Sequence, residues 1–143
     1  MRIRPRTVAI LGAVISLITI GAVALSSDAV RAGLAAAYRY PGTGGITLDE
    51  ASSWTLSYLF LLGSAALLVA LVYLAAHRFS DSRAGWWTAA ALTLVGLAFA
   101  AYNATQPFPL LVQVAGFLPV VAGAAWLALP GSGRPAPQTA TGR

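Results

Sequence analysis

Polar and aromatic side chains that could bind a ligand are concentrated in two short segments of this sequence. The first runs from Tyr38 to Trp54 and holds an arginine and two adjacent carboxylates, and the second starts at Tyr102. Aromatic rings with an arginine and carboxylates can hold a polar head group or a small ligand. The candidate ligand- or partner-binding residues are Tyr38, Arg39, Tyr40, Asp49, Glu50, Trp54, Tyr102, Asn103, Gln106 and Gln113.

Ordinary structural roles compete with this binding hypothesis. Tyrosine and tryptophan are common at membrane interfaces, and Thr47 with Glu50 matches a helix capping box. Gln113 could form a hydrogen bond between helices instead of meeting a ligand. Asp49 and Glu50 are adjacent, so on a helix they point about 100° apart, which does not suit a glycosidase pair. We therefore predict no catalytic residue.

The composition excludes several classes of chemistry. The chain has no Cys and one His, so it offers no disulfide framework, thiolate nucleophile or cysteine-based metal site. No nucleotide-binding, zinc-protease or hydrolase motif stands in a useful context. We expect no metal and no cofactor.

Four uncharged apolar blocks must position the candidate residues. Charged residues make up 9% of the chain, against about 25% in soluble domains. About 20 apolar residues cross a hydrocarbon core of about 30 Å as a helix. The pattern predicts an all-α integral membrane bundle of four transmembrane helices. They would span about 7–25, 47–78, 84–102 and 108–129 within one domain, 1–129, and short links would make the last three antiparallel neighbours.

The only long loop, 26–53, separates the first two blocks. Ser27 or Asp28 could cap a short extracytoplasmic amphipathic helix within it. We expect the apolar side of that helix to lie along the membrane surface. That side consists of Val30, Leu34 and Ala37.

Both ends of the chain need a separate interpretation. The first block also fits a cleavable signal peptide, but it exceeds the usual apolar length of about 7–15 residues, so we expect an uncleaved helix. Residues 130–143 are rich in Pro, Gly, Ser and Thr, which predicts a disordered cytoplasmic tail.

The arginines predict the orientation. The chain has nine Lys and Arg residues together, all of them Arg. With a cytoplasmic N-terminus, the outer loops carry only Arg31 and Arg39, which follows the positive-inside rule. We therefore expect a multi-pass protein of a bacterial plasma (inner) membrane with both termini cytoplasmic. Because the arginines flank apolar blocks and form no basic face, we expect no nucleic-acid partner.

Small residues recur on one face of each block, whereas Asp, Glu, Lys and Arg are missing from all four apolar blocks, which in the second helix means residues 54–76. Such helices can pack but have little means of proton or cation transport. We expect a non-enzymatic accessory or scaffold subunit of a larger membrane assembly. Its partners would be membrane lipids and other membrane-protein subunits or a second copy.

Two alternatives remain open. The chain could bind a lipid or another apolar small molecule in the bundle interior, opened by a kink at Pro119 and covered by the extracytoplasmic loop. This alternative predicts an enclosed cavity lined by Gln113 and Trp54. The other alternative is a membrane enzyme that acts at the outer surface through Asp49, Glu50 or Arg39.

Overall fold

The computed structural model describes residues 5–40 and 45–129. Over these ranges the chain is helical and contains no strand, which confirms the predicted all-α class. The predicted tail, 130–143, lies outside the described residues. The helices are α1 (Pro5–Leu25), α2 (Ser27–Ala37), α3 (Leu48–Ala75), α4 (His77–Ser80), α5 (Arg83–Ala104) and α6 (Leu110–Ala128).

Four of these helices, α1, α3, α5 and α6, are long and apolar enough to cross a membrane. The shortest, α6, has 19 residues and a mean hydropathy of 2.0. It extends roughly 28 Å, close to the thickness of a hydrocarbon core. Large apolar side chains such as Leu61, Leu94 and Val121 are more than half exposed on the outside of these helices. Lipid is the solvent that suits such a surface.

Local sequence signals determine where the helices begin and end. The Thr47 hydroxyl accepts the Glu50 amide proton at 3.2 Å, and the Glu50 carboxylate accepts the Thr47 amide proton at 2.9 Å. This is the predicted capping box, and α3 starts directly after it. Ser82 caps α5 with its side chain. The backbone leaves the helical conformation at Ala76, so the predicted helix 47–78 is divided into α3 and the single turn α4.

The long helices are packed in the order α3, α1, α6, α5. Residues from all four are buried together at one end of the molecule, namely Val8, Tyr73, Ala89 and Trp126. We call this end the α4 end and the opposite end the α2 end. The short link through α4 predicts that α3 and α5 are packed neighbours. In the described residues, however, their backbones stay apart over most of their length.

Small residues allow α1 to lie between α3 and α6. A Cβ atom on Gly12 would lie 3.7 Å from the Cβ atom of Ala70 and 3.9 Å from that of Ala122. A Cβ atom on Gly63 would approach the Ile20 side chain to 2.7 Å. Such close approach is typical of helix packing in membranes. These small residues therefore serve packing inside this chain, which explains why α3 is packed along α1 and not along α5.

The short helix α2 lies across the α2 end of the long helices. Val30 and Leu34 on its apolar side are 0% and 6% exposed, and they are packed with Val23, Leu59 and Val112. The amphipathic pattern predicts that this side faces the membrane surface. Val30 and Leu34 face the protein instead, because the ends of the long helices offer them an apolar surface, whereas Ala37 is exposed.

Packing, and not a side-chain cap, positions α2. The helix follows Ser26, which forms no capping hydrogen bond with its side chain, in place of the predicted cap at Ser27 or Asp28. Gly33 lies so close to the carbonyl oxygen of Pro107 that a Cβ atom there would collide with it. A glycine is therefore required where α2 crosses the link between α5 and α6.

Candidate functional site

The two predicted carboxylates at the start of α3 have partners within the chain. Asp49 forms an ion pair with Arg31 of α2, and both side chains are more than half exposed. Glu50 belongs to the capping box, ahead of the uncharged part of α3. The backbone amide of Thr47, and then its hydroxyl, donate to Glu50 and hold the pKa of this carboxyl below its ordinary value. Sequence reasoning missed Arg31, because only the fold brings α2 beside the start of α3.

The predicted amide side chains hold the link between α5 and α6. The Nε2 atom of Gln113 donates to the carbonyl oxygens of Gln106 and Phe108, at 3.2 and 3.0 Å. The Nε2 atom of Gln106 in turn contacts the Thr105 hydroxyl at 3.3 Å. Gln113 therefore satisfies the backbone of its own link.

Asn103 is the most buried of the predicted residues, at 5% exposure. Its Oδ1 atom accepts a hydrogen bond of 3.1 Å from the hydroxyl of Tyr58. Sequence reasoning missed Tyr58, which lies inside an uncharged block where an aromatic residue is read as part of the apolar surface. The position of Tyr58, one helical turn beyond Trp54, does not indicate a partner on α5.

The other predicted residues lie around the α2 end without forming one enclosed site. Tyr38, Trp54 and Tyr102 are 50%, 62% and 57% exposed. Arg39 is also exposed, and Tyr40 is partly buried against the cluster beneath α2. The structure thus brings Asn103 to Tyr58 and leaves most of the predicted set on the surface.

An apolar cleft of about 260 Å³ lies between α3 and α5. Helices α1 and α6 form its back wall, so the cleft opens where α3 and α5 stay apart. Neither Gln113 nor Trp54 lines it, in contrast to the cavity that the lipid-binding alternative predicts, but Pro119 does. The walls include Leu62, Ala66, Val69 and Ala70 from α3, Leu92, Thr93, Gly96 and Phe99 from α5, and Val120 and Trp126 from α6.

Tyr58 bridges α3 and α5 beyond the α2 end of the lining of the cleft. Besides its hydrogen bond to Asn103, its ring lies against that of Phe99, with 6.3 Å between the ring centroids. Phe99 is itself a wall residue of the cleft. Side chains thus bridge α3 and α5 here, although the two backbones are apart.

Tyr73 closes the cleft at the α4 end. Its hydroxyl donates to the carbonyl oxygen of Gly85 at 2.6 Å, which joins α3 to the first turn of α5. Its ring also makes an edge contact with Trp126, at 5.1 Å between centroids. From Leu62 to Tyr73 the wall of α3 is roughly 16 Å long, about half of a hydrocarbon core.

The lining limits what the cleft can do chemically. Among the described residues that line it there is no Asp, Glu, Lys, Arg or His. The hydroxyl of Ser16 donates to the Gly12 carbonyl oxygen of its own helix at 2.8 Å, so it is already satisfied. The described part of the chain also holds no group of three or more metal-ligating side chains. The described lining of the cleft is therefore almost entirely apolar.

Fold and cleft together define the class: an all-helical protein with four helices that could cross a membrane. Comparison with protein-family models, with curated proteins and with solved structures finds no match.

Proposed function

We propose that this chain is a non-enzymatic, multi-pass membrane protein that binds an apolar chain in the cleft between α3 and α5. The observation that carries the proposal is the cleft itself, which is apolar, bounded at both ends and open along the side between two lipid-exposed helices. This is the lipid-binding alternative of the sequence analysis, with the site moved from Gln113 and Trp54 to the walls of the cleft.

Packing supplies the affinity in this proposal. Lipid tails are as apolar as the cleft, so removal from water contributes little to binding inside a bilayer. An unfilled cleft, however, lacks dispersion contacts along its walls. Small residues of the walls, among them Ala66, Ala70 and Gly96, leave room that a chain without branches can fill.

The proposed location is the plasma (inner) membrane, with the α4 end in the cytoplasm. The start of α1 and the end of α6 both lie at the α4 end, which supports termini on one side of the membrane. Among the described arginines, Arg6, Arg78 and Arg83 belong to this end, and Arg31 and Arg39 to the other. Together with the arginines beyond the described residues, this distribution supports cytoplasmic termini.

Quenching of Trp126 tests the proposal. Trp126 is 5% exposed and lines the cleft, so lipids brominated on their acyl chains can reach it only by entering. The measurement uses a variant in which the other tryptophans are replaced by Phe. We expect the brominated lipids to quench Trp126 in this variant. Adding Ala66→Phe should abolish the quenching, because the new ring fills the cleft. Ala98→Phe, at an exposed site on α5 outside the cleft, is the matched control. Equal quenching in both variants would refute the proposal.

An accessory subunit remains a second candidate function, and the exposed aromatics of the α2 end favour it. Tyr38, Trp54 and Tyr102 are each half exposed or more, and aromatic residues are enriched in protein interfaces. In mild detergent we then expect a complex heavier than the 14.7 kDa chain. Light scattering should show that Trp54→Ala with Tyr102→Ala reduces it to the single chain. A wild-type monomer without any companion protein would argue against this function.

A further inference from the structure

We propose that the cleft holds one acyl chain of an anionic phospholipid from the leaflet at the α4 end, with its phosphate near Arg78 and Arg83. This inference rests on the proposed function and names the class of ligand. Two observations carry it independently of each other: the length of the cleft and the distribution of charge at its two ends.

The length of the cleft favours a lipid chain over a transmembrane helix of a partner. The wall from Leu62 to Tyr73 covers roughly 16 Å, which is the depth of one leaflet. At the α2 end, Tyr58 reaches across to Phe99 and Asn103 and closes the groove. A helix that crosses the whole membrane would need an open groove about twice as long. The acyl chain of a lipid in one leaflet can instead enter through the open side between α3 and α5, beside the closure at Tyr73, and end before the closure at Tyr58.

The charge at the α4 end suits an anionic head group. Because α4 links α3 to α5, Arg78 and Arg83 necessarily lie at the α4 end of the cleft. Arg6 lies two residues before Val8, which lines the back wall there. All three arginines are exposed, and none forms an ion pair with another described residue. Asp81 is the only acidic residue among the described residues of this end.

The α2 end has the opposite balance. Its described arginines are Arg31, which is already paired with Asp49, and Arg39. Its acidic residues are Asp28, Asp49 and Glu50. Phosphate is therefore attracted to the α4 end, where guanidinium groups can donate to its oxygens.

Native mass spectrometry of the full-length protein released from nanodiscs can test the inference. The nanodiscs would contain equal amounts of phosphatidylglycerol and phosphatidylcholine. We expect one retained lipid, with phosphatidylglycerol preferred. Arg78→Gln with Arg83→Gln should lower that preference by roughly fivefold per arginine, the factor for about 1 kcal/mol. Arg39→Gln, an exposed arginine of the α2 end, is the control and should leave the preference unchanged.

The outcomes separate this inference from the proposed function. If both lipids are retained equally, or if the preference survives the double substitution, the proposed recognition of an anionic head group is wrong. The cleft would then still be a site that binds an apolar chain. If the wild type retains no lipid and Ala66→Phe behaves identically, both this inference and the proposed function are wrong. Circular dichroism and the elution volume establish that each variant is folded.

Discussion

The hydroxyl of Tyr58 donates a hydrogen bond to the Oδ1 atom of Asn103, and this contact joins α3 to α5 at the end where α2 crosses the bundle. Asn103 is buried, so its amide has no free access to water. Together with the ring contact to Phe99, the bond marks where the cleft ends. A chain bound in the cleft would stop at this point.

Replacing Tyr58 by Phe should destabilise the protein modestly and open the cleft towards α2. Hydrogen bonds between membrane helices contribute about 0.6 kcal/mol on average, and an unpaired buried amide raises the loss to about 1 kcal/mol. Unfolding of the full chain in mixed micelles measures the difference. Tyr102→Phe is the control, since that side chain is exposed and its hydroxyl has no hydrogen bond in the described structure. A loss of equal size in both variants would contradict a role for the bond.

The helices could be predicted because their signals are local. The capping box at Thr47, the cap at Ser82 and the uncharged blocks each act over a few residues, and the structure has helices where these signals place them. The break at Ala76 could not be predicted, because neither Gly nor Pro marks it. Its position depends on how α4 turns the chain towards α5.

The packing order and the cleft could not be predicted, because they depend on competition between distant faces. A short link shows that α3 and α5 are close at one end. It does not determine whether the two helices stay in contact along the rest of their length. The contact of Gly12 with Ala70 and Ala122 inserts α1 between α3 and α6. The sequence predicts that a kink at Pro119 opens space in the bundle, and Pro119 lines the cleft. The other residues that line this space are brought together only by the fold.

Burial of Val30, and not the nearby ion pair, should hold α2 in place. Val30→Ala removes apolar atoms from a site with 0% exposure, which costs about 2 kcal/mol. Arg31→Gln breaks the exposed pair with Asp49 and should cost less than about 1 kcal/mol. Denaturation of both variants in the same detergent gives the comparison. The reverse ranking would show that charge, and not packing, positions α2.

Gly85 should tolerate no side chain, because a Cβ atom there would collide with the carbonyl oxygen of Phe79. Since Gly85 also accepts the hydrogen bond from Tyr73, Gly85→Ala would displace the α4 link and weaken the closure of the cleft. We expect a loss of about 1–3 kcal/mol, as in other overpacked sites.

Gly116 provides the comparison for Gly85 within the same protein. It has no atom within 4 Å of an added Cβ, and Ala is favoured over Gly in a helix by up to about 1 kcal/mol. Gly116→Ala should therefore leave the thermal stability in detergent unchanged or raise it. If both alanine variants unfold at the wild-type temperature, the close contact between Gly85 and Phe79 does not contribute to the stability of the protein.

The proposed orientation predicts opposite labelling at the two ends of α5. The chain has no Cys, so one introduced thiol reports its own position. Ala84 and Ala104 are both exposed and lie at the α4 end and the α2 end respectively. Because Arg78 and Arg83 should keep the α4 end in the cytoplasm, a membrane-impermeant maleimide added to intact bacterial cells should label Ala104→Cys. It should label Ala84→Cys only after the cells are permeabilised. The reverse pattern would invert the orientation, and labelling of both thiols in intact cells would show that α5 does not cross the membrane.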